Sequence, residues 1–319
     1  MARSLELETT PARGGAVMLE LLRAMRPRQW IKNTWVFAAI AFSADRLWIQ
    51  PDKVMLVAGT FVLFCMAAGA IYLINDVVDI EKDRAHPKKR NRPIASGRLR
   101  PSIAIAAAAV LMLAVLPIAY LLDNLSEPGP NLDLLVVMLA YMLIQGLLYT
   151  YLLKNIVIID IFTIAAGFLL RAIAGAVVID IPISSWLLIC MGLLALFLGL
   201  GKRRAELVLL EEGATEHRRI LDEYSVSMLD QLISIVTAAT IIAYTLFTST
   251  ATTLPHARYP VMIITVPFVV YGIFRYIYLI HHHEGGGSPE ELVFKDRPLA
   301  LDIVLYGLTV LALLWIYRY

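Results

Sequence analysis

The 319 residues of this chain sort into long apolar blocks separated by shorter polar ones. Nine apolar runs can be delimited, at about 34–44, 54–74, 103–122, 133–151, 156–179, 185–200, 229–250, 260–280 and 299–317. The first is short unless the aromatic, amphipathic stretch 26–35 joins it. A helix needs ~20 apolar residues to cross a bilayer, so runs of this length predict spanning helices. Helix is also the open-ended element that satisfies its own backbone in lipid. The pattern therefore predicts an all-α integral membrane protein with nine transmembrane helices. A polar N-terminal segment, 1–25, precedes a single transmembrane domain, 26–319, whose main loops are 75–101 and 201–228. The N-terminal segment lacks a small-residue cleavage site after a short apolar core, so no removable signal peptide is expected.

Composition agrees. Hydrophobic residues make up 59% and charged residues 17%, with mean hydropathy +0.71, whereas soluble domains run near half apolar and a quarter charged. A disordered chain, a nucleic-acid-binding arm and a secreted disulfide scaffold are excluded. The two cysteines, Cys65 and Cys190, fall inside apolar runs and read as buried small hydrophobes. The net charge of +2 says little as a total, but its distribution says more. Of the 28 Lys and Arg, 23 lie on one set of connecting segments and four on the other, with Arg171 inside a run. Positive residues mark the cytoplasmic side, which puts the N-terminus inside and, after nine spans, the C-terminus outside.

The run 54–74 is followed by Asn75-Asp76-Val77-Val78-Asp79-Ile80-Glu81-Lys82-Asp83. Asp76, Asp79 and Asp83 stand at i, i+3 and i+7, so a continuing helix puts all three carboxylates on one face. Three like charges repel unless something positive sits among them. Mg²⁺ is the natural candidate, a hard cation that takes few carboxylates and completes its octahedron with water and phosphate oxygens. A solvated acidic turn is the plainer alternative, but it leaves the alternation with Val77, Val78 and Ile80 unexplained. Next comes His86-Pro87-Lys88-Lys89-Arg90-Asn91-Arg92-Pro93-Ile94-Ala95-Ser96-Gly97. Its cations read either as a topological basic loop or as a phosphate cradle, and closeness to the acidic cluster favours the cradle. Arg binds phosphate bidentately and Lys as a point charge, while Pro87 and Pro93 stiffen the loop.

These residues carry a resemblance. Asn-Asp-x-x-Asp-x-x-x-Asp followed by Arg-Pro-Ile-x-Ser-Gly resembles the first motif of the UbiA superfamily of intramembrane prenyltransferases. Arg26-Pro27-Arg28-Gln29-Trp30-Ile31-Lys32-Asn33 resembles the segment leading into that family's first helix. The likeness runs from Arg26 to Tyr319. It implies helices bundled around a cavity open to the cytoplasm, Mg²⁺ held by Asp76, Asp79 and Asp83 with Asn75 in support, and Lys32 reaching a diphosphate.

The resemblance also has a break. Aromatic prenyltransferases of the superfamily carry a second Asp-rich motif after helix 6, which binds a second Mg²⁺. Here the position reads Gly199-Leu200-Gly201-Lys202-Arg203-Arg204-Ala205-Glu206-Leu207, with cations in place of carboxylates. One metal then serves one diphosphate, and the cations are left for a second phosphate; positive-inside residues ending a span are the alternative. Tyr149-Thr150-Tyr151-Leu152-Leu153-Lys154, Asp160, the stretch Gly167–Gly175 and Lys202-Arg203-Arg204-Ala205-Glu206 together resemble one branch, the decaprenyl-phosphate phosphoribosyltransferases. That implies transfer of a phosphoribosyl group from 5-phosphoribosyl 1-diphosphate (PRPP) to a polyprenyl phosphate, with release of diphosphate, in making lipid-linked precursors of cell-wall arabinan. The implied catalytic residues are Asp76, Asp79, Asp83, Asp160 and Lys32. The implied substrate contacts are Asn75, Lys88, Lys89, Arg90, Arg92, Tyr149, Lys154, Arg171, Lys202, Arg203 and Glu206. The expected partners are PRPP, the polyprenyl phosphate and the plasma membrane, with no nucleic acid; a homo-oligomer is compatible with the sequence.

Asp160 and Arg171 are the charges within the run 156–179. They are 11 residues apart, three turns, and so share a face. Intramembrane ions face a cavity or a partner, so Asp160 is expected to reach a ribose hydroxyl or a cation such as Lys154, while Arg171 reads equally as a structural pair. Tyr149 and Tyr151 read equally as interfacial belt residues. The tract His281-His282-His283-Glu284-Gly285-Gly286-Gly287 reads as a solvated loop, because three consecutive His on a helix share no face. Pro117, Pro182 and Pro267 are expected to kink or end spans. Two other functions stay in view. One is transfer of a polyprenyl group from its diphosphate to an aromatic acceptor. The other is a transporter or lipid-binding scaffold, which calls for polar residues or broken helices near the midplane; here the charge gathers at one face.

Overall fold

The structure, a computed structural model, describes residues 14–43, 46–86, 89–126, 131–211, 219–251, 254, 259–282, 292 and 295–317, and all regular structure among them is helical. In chain order the helices are α1 (Gly14–Ala24), a 3-10 segment (Pro27–Phe37) that runs into α2 (Ala38–Ala41), α3 (Pro51–Val78), α4 (Ile80–Ala85) and α5 (Pro101–Ser126). Then come α6 (Asp133–Tyr141), continued by a π-helical stretch (Met142–Leu148) into α7 (Tyr149–Tyr151), and α8 (Ile159–Val177). The chain ends with α9 (Ser185–Glu211), α10 (Val226–Thr250), α11 (Val266–His282) after a 3-10 turn (Val261–Thr265), and α12 (Arg297–Ile316).

Eight of these segments are long and apolar enough to cross a membrane: α3, α5, α6 through α7, α8, α9, α10, α11 with its lead-in turn, and α12. They coincide with eight of the nine expected runs. The run 34–44 forms the end of the 3-10 segment and the four-residue α2, and is not among the eight. Arg28, Gln29, Lys32 and Asn33 make the stretch ahead of it polar, and α2 alone is four residues long. Pro117 sits inside α5 without ending it, Pro182 falls between α8 and α9, and Pro267 is the second residue of α11, where its missing N–H is harmless.

Contacts divide the chain into two compact units. One comprises the described residues of Met1–Ile31 with Leu63–Ile118, the other those of Lys32–Val62 with Ala119–Tyr319. The core of the first is Ala24, Met25, Ala70, Leu73, Ile94, Leu99, Ala104 and Ala108, with Leu21, Trp30 and Ile74 packed on it. In this unit α3 stops at Val78 and α4 resumes at Ile80, with Asp79 between them at φ −95°, ψ 13°. Backbone bonds from Asp79 N to Asn75 O (2.9 Å) and from Asp83 N to Asp79 O (2.8 Å) bridge the break, so the helical direction persists.

In the second unit α9 packs against both α8 and α10, α11 packs on α12, and α2 and α6 pack on α8. One apolar cluster is built on Phe247, Leu254, Met262 and Leu314. Another is built on Ile161, Phe197, Tyr224, Leu229 and Tyr276. The contact of the first apolar run with α8 requires a glycine: a Cβ on Gly175 would stand 1.8 Å from the carbonyl oxygen of Val36.

Candidate active site

In the first unit the end of α3 turns two carboxylates inward. Asp76 is 2% and Asp83 3% exposed. Arg92 Nη1 donates to both, at 3.2 Å to Asp76 Oδ1 and 2.7 Å to Asp83 Oδ2. Arg26 also donates to Asp76, and its guanidinium stacks 4.7 Å from the Tyr72 ring centroid. The positive charge that three neighbouring carboxylates demand is therefore supplied by two arginines. Asp79 departs from the expected triad. It sits at the break after α3, its side chain is 31% exposed, and it stands 4.0 Å from Lys82 Nζ. Accordingly, no group of three His, Cys, Asp or Glu among the described residues could hold a metal. The pair Asp76 and Asp83 still fits Mg²⁺: both aim oxygens at one cationic nitrogen, and Mg²⁺ commonly takes one or two carboxylates with phosphate and water completing its shell.

The basic segment that follows is partly spent on local structure. Arg98 donates to Glu20 Oε2 (3.0 Å) and to Asn91 O (2.7 Å), and Arg84 donates to Ala95 O (3.2 Å). Burial pushes the Glu20 carboxyl up, but hydrogen bonds and charges from Arg98 and Arg23 outweigh it and hold the group below the usual carboxylate range. Arg92, expected in a phosphate cradle, faces the carboxylates instead. Lys89 is half-buried and Arg90 exposed on the turn Lys89–Asn91. Lys88 lies outside the described residues. Asn75 is half-buried.

In the second unit Asp160 and Arg203 form a sealed pair, 0% and 1% exposed. Arg203 Nε donates to Asp160 Oδ2 at 2.7 Å, and Arg203 Nη1 donates to Glu206. The other Asp160 oxygen accepts from the Tyr224 hydroxyl at 2.8 Å. Burial pushes that hydroxyl's pKa up to about 12, the bond to Asp160 adding to the effect, so it stays a donor across the working pH range. Arg203, expected to cradle a phosphate, is thus interior, and Arg203 rather than Lys154 is the cation that Asp160 meets. Lys154 stands half-buried on the 3-10 turn Leu153–Asn155, and Tyr149 lies within electrostatic range of Arg203. What the end of α9 presents outward is Lys202, 39% exposed, one turn from Glu206, 24% exposed, at 4.0 Å. Arg204 is occupied by Asp230 (2.6 Å) and Ile280 O (3.1 Å), tying α9 to α10 and α11.

Arg171 has a placement of its own. Its Nε donates to Asn33 Oδ1 (2.7 Å), Nη1 to Gly167 O (2.6 Å) and Nη2 to Tyr141 Oη (2.8 Å). The guanidinium also lies over the rings of Tyr141 (4.8 Å) and Phe168 (5.5 Å). Every nitrogen is committed to protein, so Arg171 clamps the 3-10 segment and α6 onto α8 where a substrate contact was expected. Lys32, one residue before Asn33, is half-buried on that 3-10 segment. His281 and His282 bond backbone carbonyls a turn back; His283 and the glycines after it lie outside the described residues. Sequence reasoning missed Arg26, Tyr141 and Tyr224. Arg26 carried a signal, since it opens the quoted Arg26–Asn33 segment; the two tyrosines carried none.

Comparison with known proteins bears on both units. Residues 33–294 match the model of the UbiA prenyltransferase family. The chain is 39% identical over 294 residues to a decaprenyl-phosphate phosphoribosyltransferase of Mycolicibacterium smegmatis, covering 88% of each chain. It is 34% identical over 301 residues to the protein of that name from Corynebacterium glutamicum, covering 93% of this chain and 84% of the relative. Among solved structures, a UbiA homologue from Archaeoglobus fulgidus bound to GPP and Mg²⁺ superposes with a TM-score of 0.65 at 15% identity, over 93% of this chain and all of that one. A digeranylgeranylglyceryl phosphate synthase structure gives 0.61 at 17% identity, over 93% and 98%.

Proposed function

The chain belongs to the UbiA prenyltransferase family, and from that premise we propose that it transfers the 5-phosphoribosyl group of PRPP to a polyprenyl phosphate and releases diphosphate. The relatives of that name, similar over most of both chains, support the reaction class. The observation that carries the choice of donor is the end of α9. Where prenyl-diphosphate enzymes of the superfamily are expected to show a second set of carboxylates, this chain has Lys202, Arg203 and Arg204. With Arg203 neutralised from within by Asp160 and Glu206, Lys202 is the cation turned outward, suited to a phosphate group of the donor.

Asp76 and Asp83 are the residues that would hold Mg²⁺, which when bound supplies positive charge to a diphosphate leaving group. Asp79, more exposed, is assigned a supporting part. Arg26 and Arg92, each about 30% exposed, neutralise the buried Asp76 and Asp83 and still present side-chain surface that a phosphate of the donor could meet. Lys89, Arg90 and Lys88 add positive charge that attracts the anionic donor. The acceptor is already an anionic phosphate, so no strong base is required. A phosphate oxygen of the lipid attacks the anomeric carbon in line, the anomeric carbon–oxygen bond to diphosphate breaks, and the configuration inverts through an oxocarbenium-like transition state. Catalysis then consists of positioning and charge stabilisation. Asp160 acts within the protein by fixing Arg203. We further assign the N-terminus and the basic loops to the cytoplasmic side of the plasma membrane from the Lys and Arg distribution, with the bundle's cavity opening there.

The deciding experiment offers purified protein two substrate pairs separately, with Mg²⁺ in detergent: radiolabelled PRPP with polyprenyl phosphate, and polyprenyl diphosphate with 4-hydroxybenzoate. A labelled, organic-extractable lipid from the first pair alone is expected. Product from the second pair alone overturns the donor assignment and makes the protein an aromatic prenyltransferase.

A further inference from the structure

The turn Arg219–Glu223 leads to Tyr224, whose ring is 5% exposed within the apolar cluster of Ile161, Phe197 and Leu229. Its hydroxyl is held from both sides. It accepts from the Ile158 backbone N–H at 2.6 Å and donates to Asp160 Oδ1 at 2.8 Å. Ile158, the residue before α8, stands at φ 69°, ψ −45°. This is close to the positive-φ γ-turn, a rare and strained conformation, and β-branching makes it an outlier. The Ile158 side chain is 40% exposed, so backbone bonds rather than its packing hold it there: its carbonyl accepts from Ile161 N and Phe162 N, both at 3.1 Å, and its N–H is fixed by the Tyr224 hydroxyl. The second oxygen of Asp160 fixes Arg203 Nε at 2.7 Å. Arg203 Nη2 is buried and has no hydrogen-bond partner among the described residues. An orphaned buried donor is costly, so the guanidinium keeps this pose because Asp160 and Glu206 hold its other nitrogens.

We propose that Tyr224 is a positioning residue of the transferase. Its hydroxyl locks the strained Ile158 turn and the Asp160–Arg203 pair together, and through Arg203 it sets where Glu206 and the neighbouring Lys202 stand at the end of α9. The side chain touches no substrate; it acts through three others. The kinetic part of this inference rests on the phosphoribosyl-transfer reading, and the structural part does not.

The test uses the full-length protein in detergent and three variants: Tyr224→Phe, Ile158→Gly and the double variant. Tyr224→Phe keeps the ring and removes both hydrogen bonds. Hydrogen exchange read by mass spectrometry over residues 156–161 is expected to rise about tenfold or more in Tyr224→Phe, with amides of α10 unchanged. Unchanged exchange at 156–161 overturns the lock. In the transfer assay, Tyr224→Phe is expected to raise the KM for PRPP about tenfold and to leave the KM for polyprenyl phosphate within about twofold. Ile158→Gly, for which positive φ carries no steric penalty, is expected to restore part of that loss in the double variant. An equal loss for both substrates with no recovery marks a general packing defect and overturns the positioning role. A wild-type protein that makes no product from PRPP sinks the phosphoribosyl reading, and the exchange result still decides the lock.

Discussion

Two Asp–Arg arrangements in this molecule differ mainly in their access to water. At the end of α3, Asp76 and Asp83 meet Arg26 and Arg92, whose side chains keep 29% and 28% of their surface exposed. At the start of α8, Asp160 meets Arg203 with no more than 1% exposed on either side. A buried charge that loses its partner is stranded, whereas a partly exposed one is taken up by water; at α3 that holds for the two arginines, while Asp76 and Asp83, 2% and 3% exposed, are nearly as buried as Asp160. The first arrangement therefore keeps cationic side-chain surface open to solvent, which the proposed contact with an anionic donor would require. The second keeps none and serves as a fixed post. Under the proposed function, the same two residue types would serve binding in one place and framework in the other.

The contrast is sharpest if the sealed pair is cut. Arg203→Met is expected to destabilise the protein by about 3–5 kcal/mol by leaving Asp160 buried and unpaired. Adding Asp160→Leu should recover most of that, since a buried pair exchanged for apolar residues of similar size is often neutral. Thermal unfolding in detergent reads both, and a single variant as stable as wild type would show that water reaches the pair. Asp76→Asn should lower turnover at least about a hundredfold while the unfolding midpoint moves by only a few degrees. Asp79→Asn, at the exposed break, should lose less, about tenfold. Equal losses in steady-state kinetics would restore the three-carboxylate site. Lys202→Ala should raise the KM for PRPP about tenfold with little effect on the polyprenyl phosphate; equal effects on both would make Lys202 structural.

The smallest effect concerns Glu20. Its folded-state pKa is depressed, so its contribution is present above the unfolded value of 4.5 and is lost as pH falls through the folded value. Because Arg23 and Arg98 are about half exposed, this is worth about 1 kcal/mol or less. Midpoints measured from pH 7 to pH 4 should fall slightly more steeply in wild type than in Glu20→Gln, and identical slopes would remove the assignment.

Eight spans were legible because a run of about 20 apolar residues has one stable outcome in lipid. The run 34–44 was short in the sequence, and in the structure it is the end of the 3-10 segment and α2. The shared side of Asp76 and Asp83 followed from helical spacing, and survived the break at Asp79 because the backbone bonds continue across it. The counter-ions did not follow. Arg26 lies 50 residues from Asp76, Arg203 43 from Asp160, and Tyr224 64 from Asp160, and spacing along the chain carries no information about pairs that far apart. For Arg171 the structural pairing was legible but its partners were not: the acceptors on Asn33 and Tyr141 are 138 and 30 residues away.

The membrane class, the helical architecture and the carboxylate-rich end of α3 follow from local hydrophobicity and helical period, which one stretch of chain carries whole. Which charges face one another, and hence that Arg203 and Arg171 are interior while Lys202 is turned outward, emerged from the packing of distant helices. Burial and counter-ion choice are properties of packed surfaces, and no stretch of chain contains them until distant helices meet.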